Sequence, residues 1–376
     1  MKTNKKWLIL LSLLLCGPLR AMGKLGRFVL TNKAMMPMIG ASMVLSNAHW
    51  QLRSRVQCAS THQQHAPSSV WQRLAHSGAI TRKERISCFI TDCERLEHEN
   101  KAIPLHSKND AIVRIATYNV HQWCNPHGMG PRDYNFKAIH SVISTINADI
   151  IVLQEVGELG RDKSSSLWAK LKTVGYEHHV ISACRNNVVL SKYPLTTKMT
   201  KVFDVDASCP GEQRSFIVVH AQLPHNKTVA LYGTHLDVWD ATENRRLSEV
   251  TELARIAEES GAHHNTVVLA DFNAVRERDY QYQVSNRSVW DLLKKSNQER
   301  HDSTPTKALA ALEASGFQDS FARAHMAQPK FSVWSGTLID FIFLHKKWQL
   351  PIVGCYAFYS AASDHMPIIM DVSVNA

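Results

Sequence analysis

The sequence predicts a layered α/β fold, and three observations carry that expectation. Apolar runs of strand length recur from about residue 110 onward, amphipathic stretches of helical spacing fall between them, and some successive runs are separated only by turn-like inserts. Several of the runs also end abruptly in polar residues that a core would not choose.

The elements justify this in order. Ile112 to Tyr118 reads as a strand, and His121 to Asp133, which holds Pro126, Gly128, Gly130 and Pro131, reads as a loop. Phe136, Ile139, Val142 and Ile146 recur at helical spacing, and Ile150 to Leu153 is an apolar run short enough for a strand covered on both faces. Trp168 to Val174 reads as a helix, and Asn187 to Leu190 as a strand closed by Ser191-Lys192-Tyr193-Pro194. Phe216 to Leu223 and Thr228 to Tyr232 form an antiparallel pair around Pro224-His225-Asn226-Lys227. Leu247, Val250, Leu253, Ala254 and Ala257 mark a helix that Gly261 ends. From Asn273 to Pro329 the chain is polar and partly helical, most clearly at Ala308 to Leu312, and a connection of that length usually serves binding. Leu338 to Leu344 and Met366 to Val374 are the last strands.

Ahead of this domain, placed at 110–376, lie two segments of different character. Residues 1–46 form a basic, apolar leader: Met1 to Lys6 is basic and Trp7 to Cys16 is apolar but for Ser12, too short for a comfortable membrane span. A second apolar stretch runs from Ala34 to Ser46. Export or membrane tethering is the expectation, with an organellar transit segment as the alternative. Residues 47–109 are polar and read as linker or loosely ordered chain; His49, His62 and His65 are expected to be solvated there.

The net charge of +10 is a property of the leader. Residues 1–83 hold twelve of the 43 Lys and Arg and none of the 33 Asp and Glu, which leaves 31 basic against 33 acidic groups, a net of −2. A surface that tracks duplex phosphates is normally basic, so the charge balance does not by itself favour nucleic acid. None of the eight Cys forms a Cys-x-x-Cys pair, which gives no support to a zinc site. Cys88 and Cys93 either bridge in an oxidising compartment or stay as isolated thiols.

The chemistry is carried by six strand ends: Asn119 after Ile115-Ala116-Thr117-Tyr118; Glu155 after Ile151-Val152-Leu153-Gln154; His235 and Asp237 in Thr234-His235-Leu236-Asp237; Asp271 and Asn273 in Ala270-Asp271-Phe272-Asn273; Asp340 in Leu338-Ile339-Asp340-Phe341; and Asp364-His365. Side chains two apart on an extended backbone point the same way, so Asp271 and Asn273 are expected to face one site. Buried charge is costly unless paired or on a metal, and six such ends suggest a shared site.

In this order, Tyr-Asn-Val, Leu-Gln-Glu-Val, Asn-Asn-Val-Val-Leu-Ser-Lys-Tyr-Pro, Thr-His-Leu-Asp, Asp-Phe-Asn, Ile-Asp-Phe-Ile-Phe and Ser-Asp-His-Met-Pro resemble the endonuclease/exonuclease/phosphatase superfamily. These metal-dependent phosphoesterases include DNase I-like nucleases, abasic-site endonucleases, inositol-polyphosphate phosphatases and neutral sphingomyelinases. The resemblance spans roughly Ile112 to Val374 and implies a DNase I-like four-layer sandwich, two mainly antiparallel sheets face to face with helices outside and the site at one end.

It also implies roles. Glu155 is the central ligand of a hard Mg²⁺, which Mn²⁺ can replace, with Asn119 and Asp364 beside it; a turn cap is the other reading of Asn119. Asp340 and His365 look like the family's carboxylate–histidine pair, in which His365 either takes a proton from water or holds phosphate as a cation. Asp271 is the other group to orient or deprotonate water, while Asn273 and His235 donate to phosphoryl oxygens. Asn187 either contacts phosphate or supports its loop. Arg245, or its neighbour Arg246, either clamps substrate phosphate or is solvated at a helix start. Trp239, Tyr280, Tyr282 and Trp334 either line a substrate pocket or pack in the core. Two departures stand out: Ala270 replaces the Gly that commonly precedes Asp-Phe-Asn, and no Gln follows the helix Arg, Ser248 and Glu249 standing nearby.

The function expected is hydrolysis of phosphate esters, with phosphodiesterase or nuclease activity first. A lipid-directed phosphodiesterase or phosphatase comes second, and a catalytically silent binding module or exported effector third. The substrate implied is nucleic acid or a phospholipid head group, membrane association goes with the leader, and no feature fixes an oligomeric state.

Overall fold

Apolar residues alternate between the two faces of each central strand, and both faces find a partner. The computed structural model describes residues 81–104, 111–157, 166–204, 212–260, 265–281, 283–284, 287–297 and 304–375. The leader, most of 47–109, Gly261 and Tyr282 lie outside the described residues.

One six-stranded sheet is built from β1 (Ile112–Asn119), β2 (Ile150–Gln154), β3 (His178–Ile181), β4 (Asn187–Ser191), β13 (Ile352–Ala357) and β14 (Ile368–Ser373), in the order β13-β14-β1-β2-β4-β3. The other holds β5 (Leu195–Val202), β6 (Ser215–Gln222), β7 (Thr228–His235), β8 (Thr266–Asp271), β11 (Phe317–Asp319) and β12 (Asp340–His345), in the order β11-β12-β8-β7-β6-β5. A short ribbon, β9 (Gln283–Val284) with β10 (Arg287–Ser288), stands apart. In each large sheet four of five pairings are antiparallel, and the parallel ones are β1 with β2 and β7 with β8. Each parallel pair needs a crossover helix, supplied by α2 (Phe136–Ile146) in one sheet and α4 (Asn244–Glu259) in the other.

The four layers follow from period two. Val113, Ile115, Ile150 and Val152 of one sheet pack with Ile217, Leu231, Val267, Leu269, Ile342 and Leu344 of the other. Their sequence neighbours Ala116, Tyr118, Ile151 and Leu153 face outward under α2 and α3 (Ser166–Lys172). Val268, Ala270, Phe341 and Phe343 face outward under α4 and α6 (Lys307–Ala314). Each such side chain contributes roughly 1.5–3 kcal/mol of apolar burial. Gly233 marks a close approach of the sheets: a Cβ there would sit 2.9 Å from Val152 Cγ1.

The sequence left several elements unread, among them β3, β5, β11, β13 and α5 (Val289–Asn297). The largest correction concerns residues 81–104, within the segment read as linker. Residues 82–96 form α1 (Arg82–Leu96), opened by a capping box in which Thr81 and Glu84 exchange bonds. Phe89, Cys93 and Leu96 pack on Phe331, Tyr359 and Met366. The stripe is narrow and separated by charges, so composition alone suggested a linker. Cys88 and Cys93 share this helix as free thiols, Cys93 buried with its Sγ 3.9 Å from Met366 Sδ, so the bridged alternative does not hold. Tyr280 is also core: it is buried beside Trp290, and its hydroxyl accepts from the Leu338 amide at 2.6 Å.

Candidate active site

Strand register brings the predicted residues into two rows. At one end of the second sheet, His235 of β7 and Asp340 of β12 lie on either side of Asp271 of β8. At the same end of the first sheet, Asn119 and Asn187 lie on either side of Gln154. The rows meet through Asn119, whose Nδ2 donates to Glu155 Oε1 and to Asp271 Oδ2, each at 3.1 Å.

Glu155 follows β2 with φ +53°, and its carbonyl accepts from the Gln122 amide at 2.9 Å. That left-handed turn takes Glu155 out of strand alternation. Asn273 enters by a turn as well. The strand stops at Asp271, Asn273 has φ +47°, and its amide donates to Asp271 Oδ1 at 3.0 Å. Asp271 and Asn273 therefore share the site through an Asx turn, which corrects the expectation of extended alternation. Ala270 sits inside the extended strand, so the position does not need glycine.

His365 links the acids. Its Nδ1 lies 2.9 Å from Asp340 Oδ2, and its Nε2 lies 3.7 Å from Asp271 Oδ2 and 3.9 Å from Asp364 Oδ1. Ser332, which the sequence did not flag, donates from Oγ to Asp340 Oδ2 at 2.7 Å and accepts from the Ile339 and Asp340 amides. Burial alone would lower the His365 pKa, but the Asp340, Asp364 and Asp271 carboxylates outweigh it and hold the ring well above the usual histidine range. Burial, reinforced by Asp340, pushes the Asp271 carboxyl up to about 7.

His235 is set differently. Its Nδ1 lies 3.3 Å from the Arg214 guanidinium, and its Nε2 lies 2.9 Å from Asn273 Nδ2 and 3.4 Å from Asp271 Oδ2. Burial, with the Arg214 and His365 charges added, lowers its pKa well below the usual value. Arg214 and His121 are the functional candidates that the sequence reading missed. Arg214 sits in a polar approach to β6 with nothing to mark it. His121 lies in the loop after β1, buried, with Nδ1 3.1 Å from the Asn125 carbonyl and Nε2 3.6 Å from Asp364 Oδ2. Proximity to Tyr118-Asn119 was the available signal.

Two predicted residues turn elsewhere. Asn187 donates from Nδ2 to the Ser215 carbonyl at 3.2 Å, tying the two sheets together. Arg245 and Arg246 are buried, not solvated. Arg245 pairs with Glu249 at 3.3 Å and lies 3.9 Å from Asp237, while Arg246 donates to the Asp237 and Asp240 carbonyls. Trp334 is half-buried with Arg82 5.4 Å from its ring centroid, whereas Trp239 is 68% exposed.

The residues fit a divalent cation. Atoms of the carboxylates Asp271 and Asp340 and of His365 crowd within 4.8 Å of one another, and among the described residues buried Asp340 Oδ1 has no hydrogen-bond partner. Glu155 and Asp364 extend the carboxylate set, and oxygen-rich donors suit a hard ion. An uncompensated buried carboxylate costs several kcal/mol, so a bound cation would relieve what the protein's own groups leave unpaired.

The model of the endonuclease/exonuclease/phosphatase family matches residues 123–365, well over half of the chain. The chain belongs to this family. Its members are phosphoesterase hydrolases, and in this member the five strand-end groups Asn119, Glu155, Asp271, Asp340 and His365 converge. Among curated proteins none matches the chain in sequence. Solved structures similar to it include an endonuclease/exonuclease/phosphatase from Beutenbergia cavernae, 18% identical over 70% of this chain and 72% of that one, with a TM-score of 0.48. ANGEL2, a 2',3'-cyclic phosphatase, is 16% identical over 71% and 96% at a TM-score of 0.49. Caenorhabditis elegans TDP2 is 15% identical over 70% and 98% at 0.46.

Proposed function

We propose that this chain is a Mg²⁺-dependent phosphodiesterase, with nucleic acid as the first substrate class. The observation that carries the reading is the line of contacts from Asp340 through His365 to Asp271, 2.9 Å and 3.7 Å long. A structural histidine needs one partner; this one lies between a carboxylate that orients it and a second whose raised pKa suits proton transfer near neutrality.

Glu155, Asp364 and Asn119 would hold the ion, which when bound neutralises phosphoryl charge and activates water. Asp271 accepts the proton of the attacking water. Asn119 Nδ2 and the Asn273 amide orient its two oxygens. His365, held by Asp340, keeps a cationic donor toward the phosphoryl oxygens. His235 and Asn273 supply further donors, which count for more in a water-poor site. Water's oxygen bonds to phosphorus, and the leaving oxygen departs with a proton from solvent.

A second reading, a lipid head group as substrate, is favoured by the exposed apolar residues Met129 and Tyr134 on the loop after β1 and Trp239 on the loop after β7 (59%, 51% and 68% exposed). Both loops leave the sheets at the end that carries the site. We assign the leader to export or membrane tethering on its basic and apolar sequence; among the described residues no helix is long and apolar enough to cross a membrane.

The test is a substrate panel with Mg²⁺: plasmid DNA, RNA, sphingomyelin vesicles, phosphoinositides and bis(4-nitrophenyl) phosphate. Cleavage of nucleic acid and of the synthetic diester supports the first reading. Cleavage confined to the lipids replaces it with the second, and no turnover of any ester with Mg²⁺ or Mn²⁺ overturns both.

A further inference from the structure

Arg214 lies immediately before β6, and the register that sets Ile217 opposite Gly233 brings it to the His235 end of β7. Its side chain is buried. One guanidinium nitrogen lies 3.3 Å from His235 Nδ1, another lies 3.2 Å from Glu212, and among the described residues Nε has no hydrogen-bond partner. A buried arginine with an unsatisfied nitrogen costs stability, yet among the described residues no other hydrogen bond reaches the outer nitrogen of this ring.

Both ring nitrogens of His235 face donors, Arg214 at Nδ1 and Asn273 Nδ2 at Nε2. A ring with one proton accepts only one hydrogen bond, so one neighbour must give way. A guanidinium has five donors and no acceptor and stays protonated, whereas a primary amide presents oxygen or nitrogen after a half-turn. Turning the Asn273 amide gives up its bond to the Leu236 carbonyl, 3.0 Å from Nδ2. A ring N–H at Nδ1 would set a proton against a buried cationic guanidinium, the costlier conflict. The amide therefore gives way, and the ring proton goes to the nitrogen that faces Asp271 Oδ2 at 3.4 Å.

We propose that Arg214 is a positioning residue that sets the tautomer of His235, keeping Nδ1 bare and the proton on Nε2, where it is aimed into the site as a hydrogen-bond donor. This rests on the phosphoesterase reading for its consequence, a donor to a phosphoryl oxygen, but not for the tautomer itself. Transition-state donors act only when correctly presented, so the role is one of orientation.

The test is ¹⁵N NMR of histidine-labelled full-length protein, with His235 assigned by the signals lost in His235→Gln. In the wild type Nδ1 is expected at the unprotonated position and Nε2 at the protonated one. Arg214→Met should move both signals toward the other tautomer and lower kcat on bis(4-nitrophenyl) phosphate roughly 10- to 100-fold with little change in KM. Arg214→Lys, which keeps a donor, should hold the wild-type tautomer and recover most of the kcat. A protonated Nδ1 in the wild type, or a wild-type tautomer in Arg214→Met, overturns the proposal. If Arg214→Met does not fold, the wild-type and Arg214→Lys spectra decide it. If no ester is turned over, the spectra still decide the tautomer, while the phosphoesterase reading fails by itself.

Discussion

Asn119 Nδ2 and Asp271 Oδ2 lie 3.1 Å apart across 152 residues of sequence, and this bond fastens one sheet to the other at the site. The same nitrogen also reaches Glu155. Asn119→Ala should therefore loosen two carboxylates at once and lower kcat roughly 10- to 100-fold, the usual scale for groups that orient a reactive residue. Steady-state kinetics with bis(4-nitrophenyl) phosphate, alongside circular dichroism, would check this; unchanged kcat would mean the bond does not matter to turnover.

The Asp340 and His365 pair predicts a different pattern. Asp340→Asn replaces the carboxylate at Nδ1 by a neutral amide able to present either its oxygen or its nitrogen to the ring. His365→Ala and Asp271→Ala should each reduce turnover roughly 10²- to 10⁴-fold. Asp340→Asn should fall in the same range, because a misoriented imidazole works little better than none. Additive losses in the Asp340→Asn/His365→Ala double variant would contradict a shared role.

Metal removal has a readout besides activity. Crowded buried carboxylates repel one another without a cation, so Mg²⁺ at about 100 times its Kd should stabilise the fold by about 2.7 kcal/mol, and EDTA should reverse this and abolish turnover. Thermal melts that are indifferent to Mg²⁺, Mn²⁺ and chelator would count against a bound divalent ion.

Glu249 gives a pH dependence away from the catalytic groups. It accepts from the Asp237 amide and from Arg245, and burial pushes its pKa from 4.5 up to about 7. Below 4.5 the carboxyl is protonated in both folded and unfolded protein; above 7 it is ionised in both. Between these values the folded state holds the extra proton, so stability falls as pH rises. Relative to Glu249→Gln, the wild type should lose roughly 3 kcal/mol across that window. Urea melts at several pH values would show it, and a difference independent of pH would rule it out.

Helix α1 makes a claim about where the domain begins. Phe89 is fully buried against the segment that carries Tyr359 and Met366, and Met366 follows His365. Phe89→Ala should cost about 3–5 kcal/mol, and a chain starting near residue 105 should be less stable and less active than one starting near residue 80. Equal melting temperatures of the two truncations would show that the helix is dispensable.

The sequence determined more of this protein than its low similarity to solved structures suggests. Runs such as Ile150 to Leu153 and Val267 to Ala270 are legible because both faces of a central strand are covered, so nearly every position must be apolar. Asn119, Glu155, Asp271, Asp340 and His365 are legible because polar groups at the ends of such runs carry a burial cost that only a site explains. Edge and peripheral elements lacked that signal: β5 is largely exposed, and α1 shows only a narrow apolar stripe between charges.

Tertiary structure alone decided which groups touch. Asn273 reaches the site through a left-handed turn that periodicity does not encode. Ser332 finds Asp340 and Arg214 finds His235 because strand register and loop closure juxtapose them, although neither sits in a run that marks it. Residue types and their order are local properties, written along the chain. A hydrogen bond between distant residues depends on where the packed sheets place both ends, and that information exists only once the chain has folded.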